Sequence, residues 1–336
     1  MPTRIAINGF GRIGRCVARA LFESPIPGIE LVAINDLMTL PTAVHLFKYN
    51  SVHGIFDEKV RADGDFLRID DRRIHFLNIQ DPGQLPWAEL KIDVVLECTG
   101  RFTDRAAAAQ HLYSGAQRVL ISGPSTDADY TVVMGINGDG IRTDHRILST
   151  ASCTTNCIGL MASVLDRSVG IEAALMSTVH AYTGDQSLVD SPHEDLRRAR
   201  AATLSIIPMA TGAAKVLKDV IPTLNGKIDC GAIRVPTANV SLVELFAWCR
   251  RKTSVAELNS AFEQAASESM AGYLACADQL LVSIDFFHRT ESAIIDTTQT
   301  QVVSGRMVRI CAWYDNEWGF SNRLCELARA IGPLSN

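Results

Sequence analysis

The length, composition and charge of this chain exclude several classes of protein. With 336 residues, 47% of them hydrophobic and 21% charged, it has the make-up of a globular protein of two domains, and its formal net charge of −5 offers no basis for dedicated nucleic-acid binding. No apolar run reaches the roughly 18 residues of a membrane span, and MPTRIAINGFGRIGR lacks the apolar core of a signal peptide. We therefore expect a cytoplasmic protein. Its nine scattered cysteines are then expected to be reduced thiols.

The first 150 residues alternate between strand and helix patterns. Strands are predicted at 4–8, 30–36, 91–100 and 117–122, and helices at 12–24 and about 104–113. This alternation indicates βαβ units and a parallel sheet. Turn residues within 61–77 predict a hairpin inserted into that sheet.

Longer strand patterns replace the alternation after residue 152. The predicted elements are a helix at 154–168, strands at 172–183, 227–236, 239–249, 279–287 and 306–315, and helices at about 212–219 and 254–269. The pattern indicates an α+β domain with one mostly antiparallel sheet. The polar, Arg-rich segment 184–205 matches neither pattern, and a loop of this length is usually functional or disordered.

A glycine motif lies between the first predicted strand and the first predicted helix. Gly9, Gly11 and Gly14 would allow a tight turn, close approach of the backbone to a pyrophosphate, and packing of the helix on the strand. The helix start offers free N–H donors to phosphates. Asp36 ends the second predicted strand, where an acidic residue would hold ribose hydroxyls. This order predicts a Rossmann dinucleotide-binding domain, and the charge of Asp36 favours NAD over NADP as cofactor.

Two cysteines lie four residues apart in ASCTTNC (151–157). Cys153 is at the predicted helix start, where the helix dipole stabilises a thiolate and is expected to lower the pKa of the thiol. Cys157 is one turn further on; a disulfide between the two would be strained, and no nearby ligand motif predicts a metal. From the thiol alone, a reactive and a buried structural cysteine fit equally well. His180 favours the reactive thiol, because an imidazole can take its proton.

Hydroxyl and cationic side chains indicate an anion site. Ser152 and Thr154 flank the thiol, and Thr211 and Gly212 begin another predicted helix. Arg234 lies within an apolar strand, where a buried charge requires a partner that a substrate phosphate would supply. For the three arginines of the long loop, Arg197, Arg198 and Arg200, a solvated surface is the favoured explanation.

The chain resembles the phosphorylating glyceraldehyde-3-phosphate dehydrogenases nearly from end to end. The matching segments, in family order, are INGFGRIGR (7–15), ASCTTNC (151–157), HAYTGDQ (180–186), DLRRARAA (195–202), TGAAK (211–215), RVPTANVS (234–241) and WYDNEWGFSNR (313–323). The resemblance implies a homotetramer of chains with a Rossmann NAD-binding domain at 1–152, an α+β catalytic domain at 153–318, and a C-terminal helix at 319–336 that packs back on the first domain.

The resemblance also implies a reaction. Cys153 would attack the aldehyde carbon of D-glyceraldehyde 3-phosphate, with His180 as base and oxyanion stabiliser. Hydride would pass to NAD and leave a thioester, which inorganic phosphate would convert to 1,3-bisphosphoglycerate. The implied ligands of the substrate and of inorganic phosphate are Ser152, Thr154, Thr183, Arg198, Thr211, Gly212 and Arg234.

The same resemblance implies a set of cofactor ligands. They are Gly9, Gly11, Arg12, Ile13, Gly14, Asp36, Thr99, Gly100, Ser122 and, for the nicotinamide carboxamide, Asn316. Leu37 and Pro192 accompany NAD preference in this family, and the segment 184–205 would lie at a subunit interface beside the cofactor.

Four positions depart from the family pattern, namely Asn50, Gly184, Ala210 and Phe320, and none removes an expected catalytic group. Phe320 and the segment 292–302 also resemble the erythrose-4-phosphate dehydrogenases. That group lacks the threonine and the Thr-Gly pair found here at Thr183, Thr211 and Gly212, so we favour glyceraldehyde 3-phosphate and keep erythrose 4-phosphate as the alternative. A hydrolytic aldehyde dehydrogenase and an inactive NAD-binding scaffold are two further alternatives, which the phosphate ligands and the thiol–imidazole pair disfavour.

Overall fold

A computed structural model describes residues 2–332 of the chain. These residues form two compact units, the first from 2–132, 139–151 and 321–332, and the second from 133–138 and 152–320. The predicted domain division also includes residues 1 and 333–336, which lie outside the described residues. Within 2–332, no helix has the length and apolar character that crossing a membrane requires.

Strands and helices alternate along the first unit. Its strands are β1 (Thr3–Asn8), β2 (Ile29–Asn35), β3 (Tyr49–Asn50), β4 (Gly54–Ile55), β5 (Val60–Asp63), β6 (Phe66–Ile69), β7 (Arg72–Leu77), β8 (Val94–Glu97), β9 (Arg118–Ile121), β10 (Tyr130–Thr131) and β11 (Ile147–Ser149). Its helices are α1 (Arg12–Glu23), α2 (Leu40–Lys48), α3 (Arg105–Ala108) and α4 (Gln110–Tyr113). The single helix predicted at 104–113 is therefore two short helices that meet at Ala109.

One nine-stranded sheet organises this unit, in the order β10-β11-β9-β8-β1-β2-β7-β6-β5. The strands from β10 to β7 are parallel to their neighbours, and the predicted insertion adds β6 and β5 as an antiparallel edge. The carboxyl ends of β1, β2 and β8 therefore lie side by side at one edge of the sheet. Ligands of such sheets bind outside the carboxyl ends of the strands.

The second unit begins with a long helix. Its elements are α5 (Cys153–Val169), β12 (Ile171–Ala181), β13 (Ile207–Ala210), α6 (Ala213–Val220), β14 (Ile228–Val235), β15 (Ser241–Cys249), α7 (Val255–Ser267), β16 (Leu274–Ala277), β17 (Ala293–Asp296), β18 (Gln301–Val303) and β19 (Met307–Tyr314). A last helix, α8 (Trp318–Ile331), follows β19. Residues 182–206 contain no helix or strand, in agreement with the loop predicted at 184–205.

The sheet of this unit runs β13-β14-β12-β15-β19-β17-β16, with β18 paired to β19. Among the described strands of this second sheet, only β12–β14 and β16–β17 are parallel pairs, so the prediction of a mostly antiparallel sheet is confirmed. Inward side chains of β12, β15 and β19 and the buried faces of α5 and α7 form the main hydrophobic core. This core holds the start of α5 near the ends of β12, β14 and β19.

One predicted strand is wrong. Residues 279–287 contain a 3₁₀ turn at Ser283–Phe286. Leu280 and Ile284 are exposed, so the apolar run does not mark a buried face. The Asp285 carboxylate accepts the Val282 N–H at 2.8 Å, and a local bond of this kind competes with a strand ladder.

Candidate active site

Cys153 is the first residue of α5. Ser152 caps the helix, with its Oγ accepting the Thr155 N–H at 3.0 Å. Ala151, just before the cap, has a φ of +56°, a left-handed conformation that is uncommon for a residue with a side chain. The turn and the cap together fix the direction in which the first side chain of the helix leaves the backbone.

His180 lies opposite the thiol, near the end of β12. Its Nε2 is 3.6 Å from the Sγ of Cys153, and its Nδ1 is 2.7 Å from the Ala181 carbonyl oxygen. The Ala181 carbonyl only accepts, so with its proton on Nδ1 the ring donates to it, and the Arg234 Nη1 group 2.5 Å from the same nitrogen donates to that carbonyl as well. Nε2 is then a bare acceptor that faces the thiol, which is the arrangement of a general base.

Burial sets the protonation of both groups. It raises the pKa of the Cys153 thiol, while the charge of Arg234 and the hydroxyl and N–H of Thr154 act in the opposite direction. It lowers the pKa of His180 to about 3, with the charge of Arg234 acting in the same sense. The expectation of a lowered thiol pKa is therefore wrong, because the sequence shows the helix start but not the desolvation of the thiol. Both shifts favour the uncharged thiol and the uncharged imidazole.

Arg234 supplies the positive charge of the site from β14. In the parallel pairing of β12 with β14, it lies directly beside His180. Its Nη1 donates to the Ala181 carbonyl oxygen at 2.7 Å and lies against Nδ1 of His180, while its Nε is buried without a hydrogen-bond partner. No carboxylate of residues 2–332 lies within ion-pair distance of Arg234. Its charge is thus free to meet a substrate anion.

A buried hydroxyl chain lies beneath the thiol. The Tyr314 hydroxyl is 2.9 Å from the hydroxyls of both Thr154 and Thr178, and Thr178 donates to the Leu242 carbonyl oxygen at 3.1 Å. Burial raises the pKa of Tyr314 well above its ordinary value, so the phenol stays protonated. The predicted phosphate ligand Thr154 therefore has its side chain turned into the protein, with 6% of its surface exposed.

The other predicted phosphate ligands fall into two places. Thr183 donates its hydroxyl to Asp185, which also pairs with Arg198. Although burial acts to raise it, the pKa of Asp185 is held below its ordinary value by the Thr183 hydroxyl and by the charges of Arg198 and Arg234. Thr211 and Gly212 precede α6, with the Thr211 hydroxyl accepting the Ala213 N–H at 3.3 Å.

Asn316 is held by one side chain. Its Oδ1 accepts the Ser241 hydroxyl proton at 2.9 Å, and Ser241 Oγ accepts the Ala181 N–H at 3.1 Å. The described residues offer no partner to the Asn316 amide nitrogen. That nitrogen is therefore available as a donor to a ligand, as the predicted contact with a carboxamide requires.

The three glycines of the motif in the first unit are needed for different reasons. Gly9 has a φ of +96°, and a Cβ there would lie 2.6 Å from the Thr99 nitrogen. A Cβ on Gly14 would lie 2.1 Å from the Gly9 carbonyl oxygen. A Cβ on Gly11 would meet no protein atom within 4 Å. Gly9 and Gly14 are thus required by the fold, whereas the space at Gly11 is left for a ligand that approaches the backbone.

A cavity of about 830 Å³ opens at the carboxyl ends of β1, β2 and β8. Of the predicted cofactor ligands it is lined by Gly9, Gly11, Asp36 and Thr99, and not by Arg12, Ile13, Gly14, Gly100 or Ser122. Asp36 accepts the backbone N–H groups of Phe10 at 2.6 Å and Met38 at 2.9 Å, which fixes its carboxylate at the rim. The volume and the open backbone at Gly11 fit a dinucleotide.

A buried carboxylate supports the floor of this cavity. Glu97 accepts four hydrogen bonds, from the N–H and hydroxyl of Thr99, from the Asn8 amide at 2.6 Å and from His111 Nε2 at 3.0 Å. Trp87 donates to the other ring nitrogen of His111 at 3.0 Å, so Nε2 is the ring nitrogen that donates to Glu97. These bonds hold Asn8 and Thr99 at the ends of two adjacent strands.

Sequence reasoning missed several residues of both sites. In the cavity these are Asn8, Asn35, Gln80, Asp81, Arg101 and Phe102. Around the thiol they are Thr178, Asp185, Ser241 and Tyr314. Asp185, Ser241 and Tyr314 occur in the segments HAYTGDQ, RVPTANVS and WYDNEWGFSNR, so the signal was present there but was not assigned to side chains. Of the cavity residues only Asn8 lies in a quoted segment, INGFGRIGR, and the others leave no such signal because they come from the end of β2 and from separate loops.

Comparison with known proteins places both parts of the chain in one family. The NAD binding domain of glyceraldehyde 3-phosphate dehydrogenase matches residues 3–105, and the C-terminal domain of the same family matches residues 152–316. Glyceraldehyde-3-phosphate dehydrogenase of Xanthobacter flavus is 50% identical over 334 residues, which cover 99% of this chain and 100% of the relative. The enzyme of that name from Pseudomonas aeruginosa is 51% identical over 333 residues, 98% of each chain.

The fold and the site define a dehydrogenase with an NAD-binding domain and a second domain that carries a thiol–imidazole pair. Two family domains together cover more than half of the chain, and the identity to full-length relatives is about one half. The chain belongs to the glyceraldehyde-3-phosphate dehydrogenase family.

Proposed function

We propose that this protein catalyses the NAD-dependent oxidation and phosphorylation of D-glyceraldehyde 3-phosphate to 1,3-bisphosphoglycerate, a reaction of glycolysis and gluconeogenesis. The observation that carries the proposal is the Cys153–His180 pair, with 3.6 Å between Sγ and Nε2, in a chain about half identical to proteins named for that enzyme. The names of these relatives favour glyceraldehyde 3-phosphate over erythrose 4-phosphate.

In this proposal Cys153 is the nucleophile and His180 the general base. The thiol proton passes to Nε2 as Sγ attacks the aldehyde carbon. The uncharged imidazole can accept this proton, and the sulfur uses its electron pair to form the bond to carbon. The resulting imidazolium is next to the developing oxyanion and stabilises it. The Nδ1 bond to Ala181 keeps the ring in the required tautomer throughout.

NAD, when bound, would supply the hydride acceptor that allows the thiol-bound carbon to be oxidised to a thioester on Cys153. Asn316 would donate to the nicotinamide carboxamide, Asp36 would accept from ribose hydroxyls, and the backbone at Gly11 would meet the pyrophosphate. The apolar Leu37, which is exposed and lines the cavity, offers no donor to a 2′-phosphate. Inorganic phosphate then attacks the thioester, and His180 returns its proton as the thiol leaves.

Two anion sites complete the proposed assignment. Arg234, with Thr183 and Arg198, would hold the C3 phosphate of the substrate. Ser152, Thr154, Thr211 and Gly212 would hold inorganic phosphate. The Thr154 side chain is bonded to Tyr314, so its contribution to this second site rests on the N–H at the start of α5.

We also propose that the first unit is the NAD-binding domain, the second the catalytic domain, and that the protein is a cytoplasmic homotetramer. Leu188, Leu196 and Leu204 in the segment 184–205 are 70–84% exposed, and a neighbouring subunit would cover them. All nine cysteines are free thiols, as a reducing compartment favours. A sedimentation mass of a single chain or a dimer would contradict the tetramer, and cell fractionation tests the location.

The proposed activity is tested by NADH formation from each aldehyde phosphate, with and without inorganic phosphate. We expect turnover with glyceraldehyde 3-phosphate that depends on phosphate and greatly exceeds turnover with erythrose 4-phosphate. Turnover with erythrose 4-phosphate alone would replace the substrate. Phosphate-independent turnover would replace the acyl-phosphate product with a free acid.

A further inference from the structure

We propose that Ser241 is a positioning residue that locks the side-chain amide of Asn316 with its NH₂ group turned toward the cofactor. The inference rests on the proposed function, since it assigns Asn316 to the nicotinamide carboxamide. It concerns a residue that does not itself meet the cofactor and acts through its neighbour.

The hydrogen bonds of Ser241 leave only one orientation for that amide. Ser241 is 1% exposed, and its Oγ already accepts the Ala181 N–H at 3.1 Å. Its own proton therefore needs an acceptor, and Asn316 Oδ1 at 2.9 Å is the acceptor that the described residues supply. A flipped amide would place NH₂ against Oγ and leave the serine proton buried without a partner, which is costly.

The backbone around Ser241 is built to hold this geometry. Val240 has a φ of +67°, a conformation that a β-branched residue adopts only when its surroundings enforce it. The residues on either side of Val240 bond to consecutive residues after β19, since Asn239 donates to Asp315 at 2.8 Å and Ser241 donates to Asn316. Two adjacent clamps thus fix the segment 239–241 against 315–316.

Ser241 also connects the cofactor amide to the base. It holds the N–H of Ala181, while the carbonyl oxygen of Ala181 accepts from His180 Nδ1 and from Arg234. One hydroxyl therefore sets the orientation of Asn316 and anchors the end of β12 on which the imidazole depends. If Ser241 only supports the structure, its removal disturbs Asn316 and His180 together. If Ser241 locks the amide, its removal changes which groups of a cofactor the Asn316 side chain can bind.

A cofactor analogue separates these two effects. NAD presents a carbonyl oxygen and an NH₂ group on its carboxamide, whereas 3-acetylpyridine adenine dinucleotide keeps the carbonyl and has a methyl in place of NH₂. A locked Asn316 NH₂ can donate to the carbonyl of either molecule. An unlocked amide that turns its oxygen outward can bind only the NH₂ of NAD, so the analogue loses its partner.

The experiment compares dissociation constants of both dinucleotides, measured by calorimetry without substrate, for wild type, Ser241→Ala and Ser241→Thr. In Ser241→Ala we expect binding of the analogue to weaken about 2-fold relative to NAD, because the competent orientation of the amide falls from nearly all to about half of the population. Ser241→Thr keeps a hydroxyl and should retain the wild-type ratio. The matched control is Ser177→Ala, because Ser177 lies on β12 but on the face opposite to His180.

The outcomes distinguish this inference from the proposed function. An unchanged ratio in a folded Ser241→Ala variant, or equal weakening of both dinucleotides, would overturn the positioning role. Wild type that neither binds NAD nor forms NADH would overturn the proposed function instead. If Ser241→Ala melts well below wild type, Ser241→Cys, which keeps a weak donor, replaces it in the same assay. The ratio of its dissociation constants for the two dinucleotides then decides between loss of the lock and loss of structure.

Discussion

The glycine-loop cavity and the thiol site are built from the chain in different ways. In the cavity, Gly9, Gly11 and Gly14 lie within six residues, and their backbone makes the ligand surface directly. In the thiol site, Cys153, His180 and Arg234 meet only because β12 pairs with β14 and α5 packs on the same sheet. A local motif thus shapes the first site, and long-range register shapes the second.

This difference determines how each site responds to change. A backbone surface tolerates substitution wherever a side chain finds open space, and fails where a Cβ meets backbone. A side-chain constellation keeps its fold when a catalytic group is removed and loses only the chemistry that the group performs. The following substitutions separate the two kinds of dependence.

Cys153→Ser has the largest expected effect. The hydroxyl is a far weaker nucleophile than the thiol, so we expect kcat to fall by roughly 10⁴-fold or more while NAD affinity is preserved. The matched control is Cys157→Ser, one turn further along α5, whose thiol is fully buried. NADH formation is measured for both variants. Retention of most activity in Cys153→Ser would refute the thioester mechanism.

His180→Gln is expected to lower kcat by about 10²- to 10⁴-fold, the range for loss of a general base. The amide keeps polar contacts near Ala181 but cannot take the thiol proton. Single-turnover NADH formation isolates the chemical step from product release. A variant with normal kcat and a raised KM would show that His180 only binds substrate.

Much of this architecture could be predicted from the sequence, and the failures have physical causes. The βαβ order, the inserted hairpin and the helix at Cys153 follow from periodicity and turn residues, which are local. The strand predicted at 279–287 failed because apolar residues such as Leu280 are exposed, and periodicity does not report burial. The direction of the Cys153 pKa failed for the same reason, since desolvation depends on tertiary packing. Family segments supplied Asn316, but no local pattern revealed Ser241 as its clamp.

The lowered pKa of His180 predicts that the protein becomes less stable as the pH falls. That pKa is lowered from 6.5 to about 3 in the folded protein, so the unfolded chain binds more protons between these values and stability falls as the pH drops through this window. At pH 5 the loss from this group is about 2 kcal/mol relative to pH 7. We expect the melting temperature of wild type to fall more than that of His180→Gln over this range. Equal decreases would contradict a buried neutral imidazole.

Gly14→Ala and Gly11→Ala separate the effect of the glycine motif on stability from its effect on NAD binding. A Cβ on Gly14 meets the Gly9 carbonyl oxygen, so we expect this variant to lose about 1–3 kcal/mol of stability. A Cβ on Gly11 meets open space, so Gly11→Ala should melt near wild type and yet bind NAD about 10-fold more weakly, because it occupies the space of the ligand. Thermal melting and NAD titration of both variants test the contrast, which equal melting temperatures would contradict.

Asp36→Asn has the smallest expected effect and sharpens the contrast at the cavity rim. The amide can still accept the Phe10 N–H, but the charge that repels a 2′-phosphate is gone and Arg101 remains as a cation lining the same cavity. We therefore expect KM for NAD to rise by less than about 10-fold and the preference for NAD over NADP to narrow by about 10-fold. Asp81→Asn, which removes the other carboxylate of the cavity, is the matched control. An equal change in both variants would show that the cavity senses its total charge, whereas a change confined to Asp36 would assign cofactor choice to the carboxylate fixed at the end of β2.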